Sequence, residues 1–196
     1  MEKKRFGIGG WLNTEKAQNY LAYGQVYKGI VKMSLKHFKK KPEDLLKEAE
    51  EYDDSEISLL PYHDLGMLPI AFNFRHYIEV KLKGLILLKK PDLTLNTHNI
   101  DELVTQLIEI SKTKRISKAT RNIIREIQQL DSGSDGFRYP YGKDGKKRSL
   151  KANIKIISKF NDLEEFEKIT STVMKDLENV EGDLDAERMA AGDSHL

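Results

Sequence analysis

Residues 65–89 read LGMLPIAFNFRHYIEVKLKGLILLK. Taken as a helix, this stretch is apolar around most of its circumference, and such a helix belongs in the middle of a bundle. Pro69 is tolerable there only in the first turn, where no amide hydrogen is needed, and Pro91 stops the helix. One polar stripe interrupts the apolar surface. At 100° per residue, Arg75, His76, Glu79 and Lys83 fall within an arc of about 100°. Buried charge is costly unless it is paired, so the stripe has two readings. Arg75, Glu79 and Lys83 form an i,i+4 ladder that satisfies itself. Alternatively the stripe lines a pocket or dimer seam where Arg75 and His76 meet a phosphate and Glu79 orients one of them.

The rest of the chain continues the helical pattern. Thr14 is placed to cap a helix running to about Phe38, with Leu21, Val26, Ile30 and Met33 near the 3.6-residue repeat. Pro42 to about Tyr52 reads as a short charged helix carrying Leu45 and Leu46, followed by a connector from Asp53 to Asp64. Asn99 or Asn96 caps a helix from about Ile100 to Ser111, and Ile116 to Leu130 gives another. Asp131 to Lys147 holds four glycines and Pro140 and reads as a long loop or tight hairpin. Ile154 to Ile157 suits a short extended piece, and Leu163 to about Val180 returns to helix. The expected fold is therefore all-α, an up-and-down bundle of five or six helices with one long Gly-rich loop. Residues 1–182 form its single domain, and residues 183–196 are expected as a flexible acidic tail.

The chain of 196 residues suits one domain of ordinary size. It contains no cysteine, which excludes a disulfide framework, a thiolate zinc site and a cysteine nucleophile. The charged start MEKKRFGIGGWLN does not resemble a secretory signal, and the uncharged run Leu65–Phe74 is too short to span a bilayer. A soluble cytoplasmic protein is expected, with no membrane partner. A formal net charge of +2 conceals an asymmetry: Lys112–Lys151 carries +8 and Asp162–Asp193 carries −8. The first segment is suited to attract phosphates, or the two segments attract each other.

Beyond the polar stripe, His98 stands in LNTHNIDEL just before a helix, as a cap neighbour or an acid/base group. In the Gly-rich loop, Phe137-Arg138-Tyr139-Pro140-Tyr141 either anchors the loop to the core or presents Arg138 and Tyr139 to a phosphate and a base. Other candidates fail on spacing. Gly7-Ile8-Gly9-Gly10 lacks the Gly-Lys-Ser/Thr that completes a phosphate loop, and the five histidines show no zinc-binding helical spacing. His63-Asp64 suggests no triad, and the basic run at 36–41 suits a helix C-terminus. No metal and no cofactor are called for.

RHYIEVKLKGLI (75–86), followed after Pro91 by THNIDEL (97–103), resembles the helical hairpin of HEPN domains, and FRYP (137–140) resembles a motif of some HEPN-like proteins. Glu79, Leu82, Lys83, His98, Asn99 and Leu103 fill the characteristic places, with Ile100 where leucine is usual. The resemblance covers about residues 65–140. It implies an all-α homodimer, and many such proteins are metal-independent endoribonucleases of toxin–antitoxin or phage-defence systems. An antitoxin or another protein is then a further partner. Those nucleases carry Arg, four to six residues, then His on one helix. No arginine within the expected fold is followed by histidine at that spacing, and Arg188 with His195 matches only across a glycine near the end. An RNA-cleaving site would then draw on His76 or His98 as acid/base, with Glu79 as orienter. Arg75, Lys83 and Arg138 would bind the phosphate and Tyr139 a base. RNA binding without cleavage, nucleotide binding, and a catalytically silent dimeric interaction module are the other expectations.

Overall fold

A computed structural model of the chain describes residues 16–39, 60–132 and 163–190. Among them are five helices and no strand: α1 (Lys16–Phe38), α2 (Leu60–Lys89), α3 (Ile100–Ser111), α4 (Lys118–Leu130) and α5 (Leu163–Ala190). The fold is an all-α bundle. The short helix expected at 42–52, the Gly-rich loop beyond Ser132 and the extended piece at 154–157 lie outside the described residues.

Helix α2 is the central element, as its apolar circumference requires. From Ile70 to Leu88 nearly every side chain is buried, and α1, α3 and α5 all pack on it. Its hairpin with α1 is antiparallel, since Leu21 lies against Gly84 and Tyr27 against His76. Gly84 sets the approach: a Cβ there would stand 2.7 Å from Leu21 Cδ2 and 3.2 Å from the Leu21 amide nitrogen. Any larger residue forces the two helices apart. The connector after Lys89 returns along α2, so α3 starts beside Glu79. Phe74 meets Phe166 edge-on across α2 and α5.

Two helix boundaries differ from the sequence expectation. Helix α2 begins at Leu60, not Leu65, which leaves Pro69 in its interior instead of its first turn. Pro69 is exposed, so its ring stands clear of the core, and the Asn73 amide donates to its carbonyl at 2.7 Å. Helix α5 runs to Ala190, ten residues past Val180 and through much of the expected tail. Gly182 costs a helix roughly 1 kcal/mol relative to alanine. That cost is offset by the burial of Leu184 and by pairs that Glu181, Asp183 and Glu187 make with Lys81, Arg115 and Lys89.

Among the described residues, these pairs show where part of the acidic charge goes. Four acids of this helix pair with lysines on or beside α1 and α2: Glu167 with Lys39, Glu178 with Lys28, Glu181 with Lys81 and Glu187 with Lys89. From the described part of the basic segment it engages Arg115, bidentately at 2.7 and 3.1 Å. Lys112, Lys114, Lys118 and Arg121 remain exposed.

Candidate functional site

The polar stripe of α2 faces the start of α3 and the end of α4. Arg75 is fully buried, and each part of its guanidinium is used. Nη1 bonds Glu79 Oε2 at 3.1 Å, Nη2 donates to the His98 carbonyl at 2.9 Å, and Nε lies 3.3 Å from the Asp131 carbonyl and 3.4 Å from its Oδ2. Glu79 Oε1 is shared by Lys83 Nζ at 2.9 Å and His98 Nδ1 at 2.8 Å. A helix four residues per step thus supplies the i,i+4 ladder, and the ladder in turn fixes both ring and backbone of His98.

The loop that delivers His98 is built to stop there. Asn99 caps α3, its side-chain oxygen accepting from the amides of Asp101 and Glu102, and its own amide nitrogen donates to Thr97 Oγ1. The Ile100 amide is taken by Gln128 of α4 at 2.9 Å. His98 is therefore held between a capped helix and a buried carboxylate, with its side chain 68 % exposed. The imidazole presents one edge to Glu79 and the other outward.

Electrostatics favour an ionised Glu79. Burial pushes its carboxyl up, but the hydrogen bond and charge of Lys83, and then those of His98, outweigh this and hold it below the usual carboxylate range. In a neutral imidazole, a carboxylate accepting from Nδ1 leaves Nε2 as the free acceptor. An exposed imidazole oriented by a buried carboxylate has the geometry that a general base and its orienting acid would need.

The sequence-derived candidates separate into three groups. Arg75, Glu79, Lys83 and His98 come together in one network. His76 does not join them: its ring lies between Phe72, at 4.3 Å between centroids, and Tyr27 of α1, at 5.4 Å. Arg138 and Tyr139 lie outside the described residues. The sequence reading missed Asp131, the C-cap of α4, because it is 56 residues from Arg75 and no local pattern connects them. A polar cavity of about 420 Å³ lies apart from this network, between the α3–α4 loop and α5, lined by Lys112, Lys114, Arg115, Asp183 and Glu187, and it contains none of the candidates. Among the described residues no three metal-ligating side chains cluster, and no helix is long and apolar enough to cross a membrane. No family model matches the chain, and no curated protein or solved structure shows significant similarity to it.

Proposed function

We propose that this is a HEPN-like helical protein that binds RNA and cleaves it without a metal, acting in the cytoplasm in a toxin–antitoxin or phage-defence setting. The observation that carries the reading is the exposed His98 imidazole anchored through Nδ1 to buried Glu79. In the proposed step, His98 Nε2 takes the proton of a ribose 2′-hydroxyl, whose oxygen attacks the adjacent phosphorus. The 5′ oxygen leaves, taking a proton from the imidazolium or from water, and the products are a 2′,3′-cyclic phosphate and a 5′-hydroxyl. Glu79 stabilises the imidazolium, and Arg75 is a positioning residue that holds the His98 carbonyl. The exposed Lys112, Lys114, Lys118 and Arg121 supply a surface for the RNA backbone or a nucleotide phosphate.

The test is RNA cleavage in EDTA by the full chain, with matched DNA as the substrate that lacks the 2′-hydroxyl. Wild type is expected to cut RNA and spare DNA. His98→Ala should lose roughly 100-fold or more in rate, the usual contribution of a general acid–base group, while His76→Ala stays near wild type. Equal rates for wild type and His98→Ala would remove His98 from the mechanism.

A second reading has its own support. Arg75, Glu79 and Lys83 are closed off from solvent, as in a purely structural ion network. On that reading the protein is a catalytically silent module that binds a partner protein. RNA that stays intact and unbound with wild type would favour it.

A further inference from the structure

The cavity between the α3–α4 loop and α5 has a lining chemistry of its own. Its volume of about 420 Å³ is in the range of small-ligand pockets and far exceeds the needs of a lone ion. Val180 and Leu184 of α5 give it an apolar floor, and the loop contributes Lys112, Lys114 and Arg115. The two acids of the lining already have partners. Asp183 is bonded by Arg115 through both carboxylate oxygens, and Glu187 by Lys89 from outside the lining. Neither Lys112 nor Lys114 has a carboxylate partner among the described residues. The cavity therefore keeps an excess of two positive charges, both on ammonium groups.

The backbone at Lys112 is a second, independent sign. Lys112 closes α3 with φ 54° and ψ 21°, in the left-handed region, and among the described residues it is the one non-glycine with positive φ. Glycine, or less often asparagine, ordinarily fills that place, because a Cβ there crowds the neighbouring carbonyl. A cation at a helix C-terminus gains from the macrodipole. That gain does not call for the strained position, since a lysine within the last turn would have it too, and α3 carries no basic residue there. The strained residue is one that lines the cavity.

We propose that this cavity binds a terminal phosphate monoester, the group carried by a mononucleotide or by the phosphorylated end of a nucleic acid strand. Near neutral pH a monoester carries close to two negative charges, against one for each diester of a strand backbone. Two ammonium groups without carboxylates match the monoester. Lys112 and Lys114 hold the phosphate oxygens as point charges, and the attached sugar or base rests on Val180 and Leu184. The volume suits one nucleotide rather than a length of strand. The proposal does not rest on RNA cleavage. His98 stands before the first residue of α3 and Lys112 after the last, and the 12 residues between those ends set them about 18 Å apart.

Calorimetric titration of the full chain with AMP, in the absence of RNA, is expected to show saturable binding, and adenosine, which lacks the phosphate, none. Lys112→Gly should weaken AMP binding by roughly 10-fold or more, the usual loss for one charge-assisted hydrogen bond. It should do so without lowering the melting temperature, because glycine takes the left-handed backbone freely. Lys114→Ala should weaken AMP binding to a similar extent. Lys168→Ala removes an exposed cation of α5 outside the cavity and should leave AMP binding unchanged. A DNA oligonucleotide with a 5′-phosphate, which has no 2′-hydroxyl to support cleavage, separates the two sources. Tighter binding than AMP assigns the site to strand ends, and weaker binding assigns it to free nucleotides. No phosphate-dependent binding of either probe at millimolar concentration would overturn the proposal. So would adenosine binding as tightly as AMP, or Lys112→Gly at wild-type affinity for both probes.

Discussion

The network around Glu79 and the ladder of pairs along α5 use the same chemical groups in opposite surroundings. In the first, Arg75, Glu79, Lys83 and Asp131 are all buried, and each depends on the others for its solvation. At the two ends of the second, Lys39 with Glu167 and Lys89 with Glu187 are about half exposed, so water can replace either partner, whereas Lys81 between them is fully buried on Glu181. The contrast follows from dielectric surroundings: buried charge is tolerated only in complete sets, whereas an exposed pair is close to optional. Helix α2 thus carries a polar stripe that is hard to alter, and the end pairs of the α5 ladder are easy to alter.

The largest expected effect is at the buried end. Glu79→Ala leaves Lys83 without its carboxylate, leaves Arg75 only Asp131, and releases the His98 ring, at a cost of about 3–5 kcal/mol. Urea denaturation should show the loss as a lower midpoint. Glu79→Gln keeps the shape and part of the hydrogen bonding, so it should fall between wild type and alanine. A loss below about 1 kcal/mol for Glu79→Ala would break the comparison outright.

A smaller effect of the same origin appears in acid. The Glu79 carboxyl is held below its ordinary value in the folded state, so the stability it contributes is fully present above the unfolded value of about 4.3. It is lost as pH falls through the lowered folded value. Asp176 behaves alike: burial pushes its carboxyl up, but hydrogen bonds from Thr120 and the Ser117 amide bring it down overall. Melting temperature should therefore drop below pH ~4, and more steeply for wild type than for Glu79→Gln. Parallel curves for the two proteins would show that Glu79 titrates as it does in the unfolded chain.

How much of this was legible in the sequence depended on the range of the partner. Helix α3 is closed by its own neighbours, with Asn99 capping Asp101 and Glu102, and its span agrees with the sequence expectation. The Arg75–Glu79–Lys83 ladder was equally legible, because i,i+4 spacing guarantees proximity. Angular position alone did not place His76. It stands within the polar arc, yet a half-buried imidazole gains more from Phe72 and Tyr27 than from a site already filled by two cations. The extension of α5 past Gly182 was hidden because its supports, Lys81, Lys89 and Arg115, lie on other elements. Local propensity marks a glycine as a stop, and tertiary pairing overrides it.

The smallest effect sharpens the exposed side of the comparison. Lys39 and Glu167 are 46 % and 42 % exposed at their side chains. Holding two long side chains in one geometry offsets much of their attraction in water. A double-mutant cycle with Lys39→Ala and Glu167→Ala should give a coupling of about 0.2–1 kcal/mol. Raising the salt concentration should erase it, since the Debye length shrinks to about 3 Å at 1 M. The destabilisation caused by Glu79→Ala should survive the same salt, because ions do not reach a network enclosed by α2, α3 and α4. If salt changes both alike, the network around Glu79 is open to water, and the distinction between the two regions is one of degree.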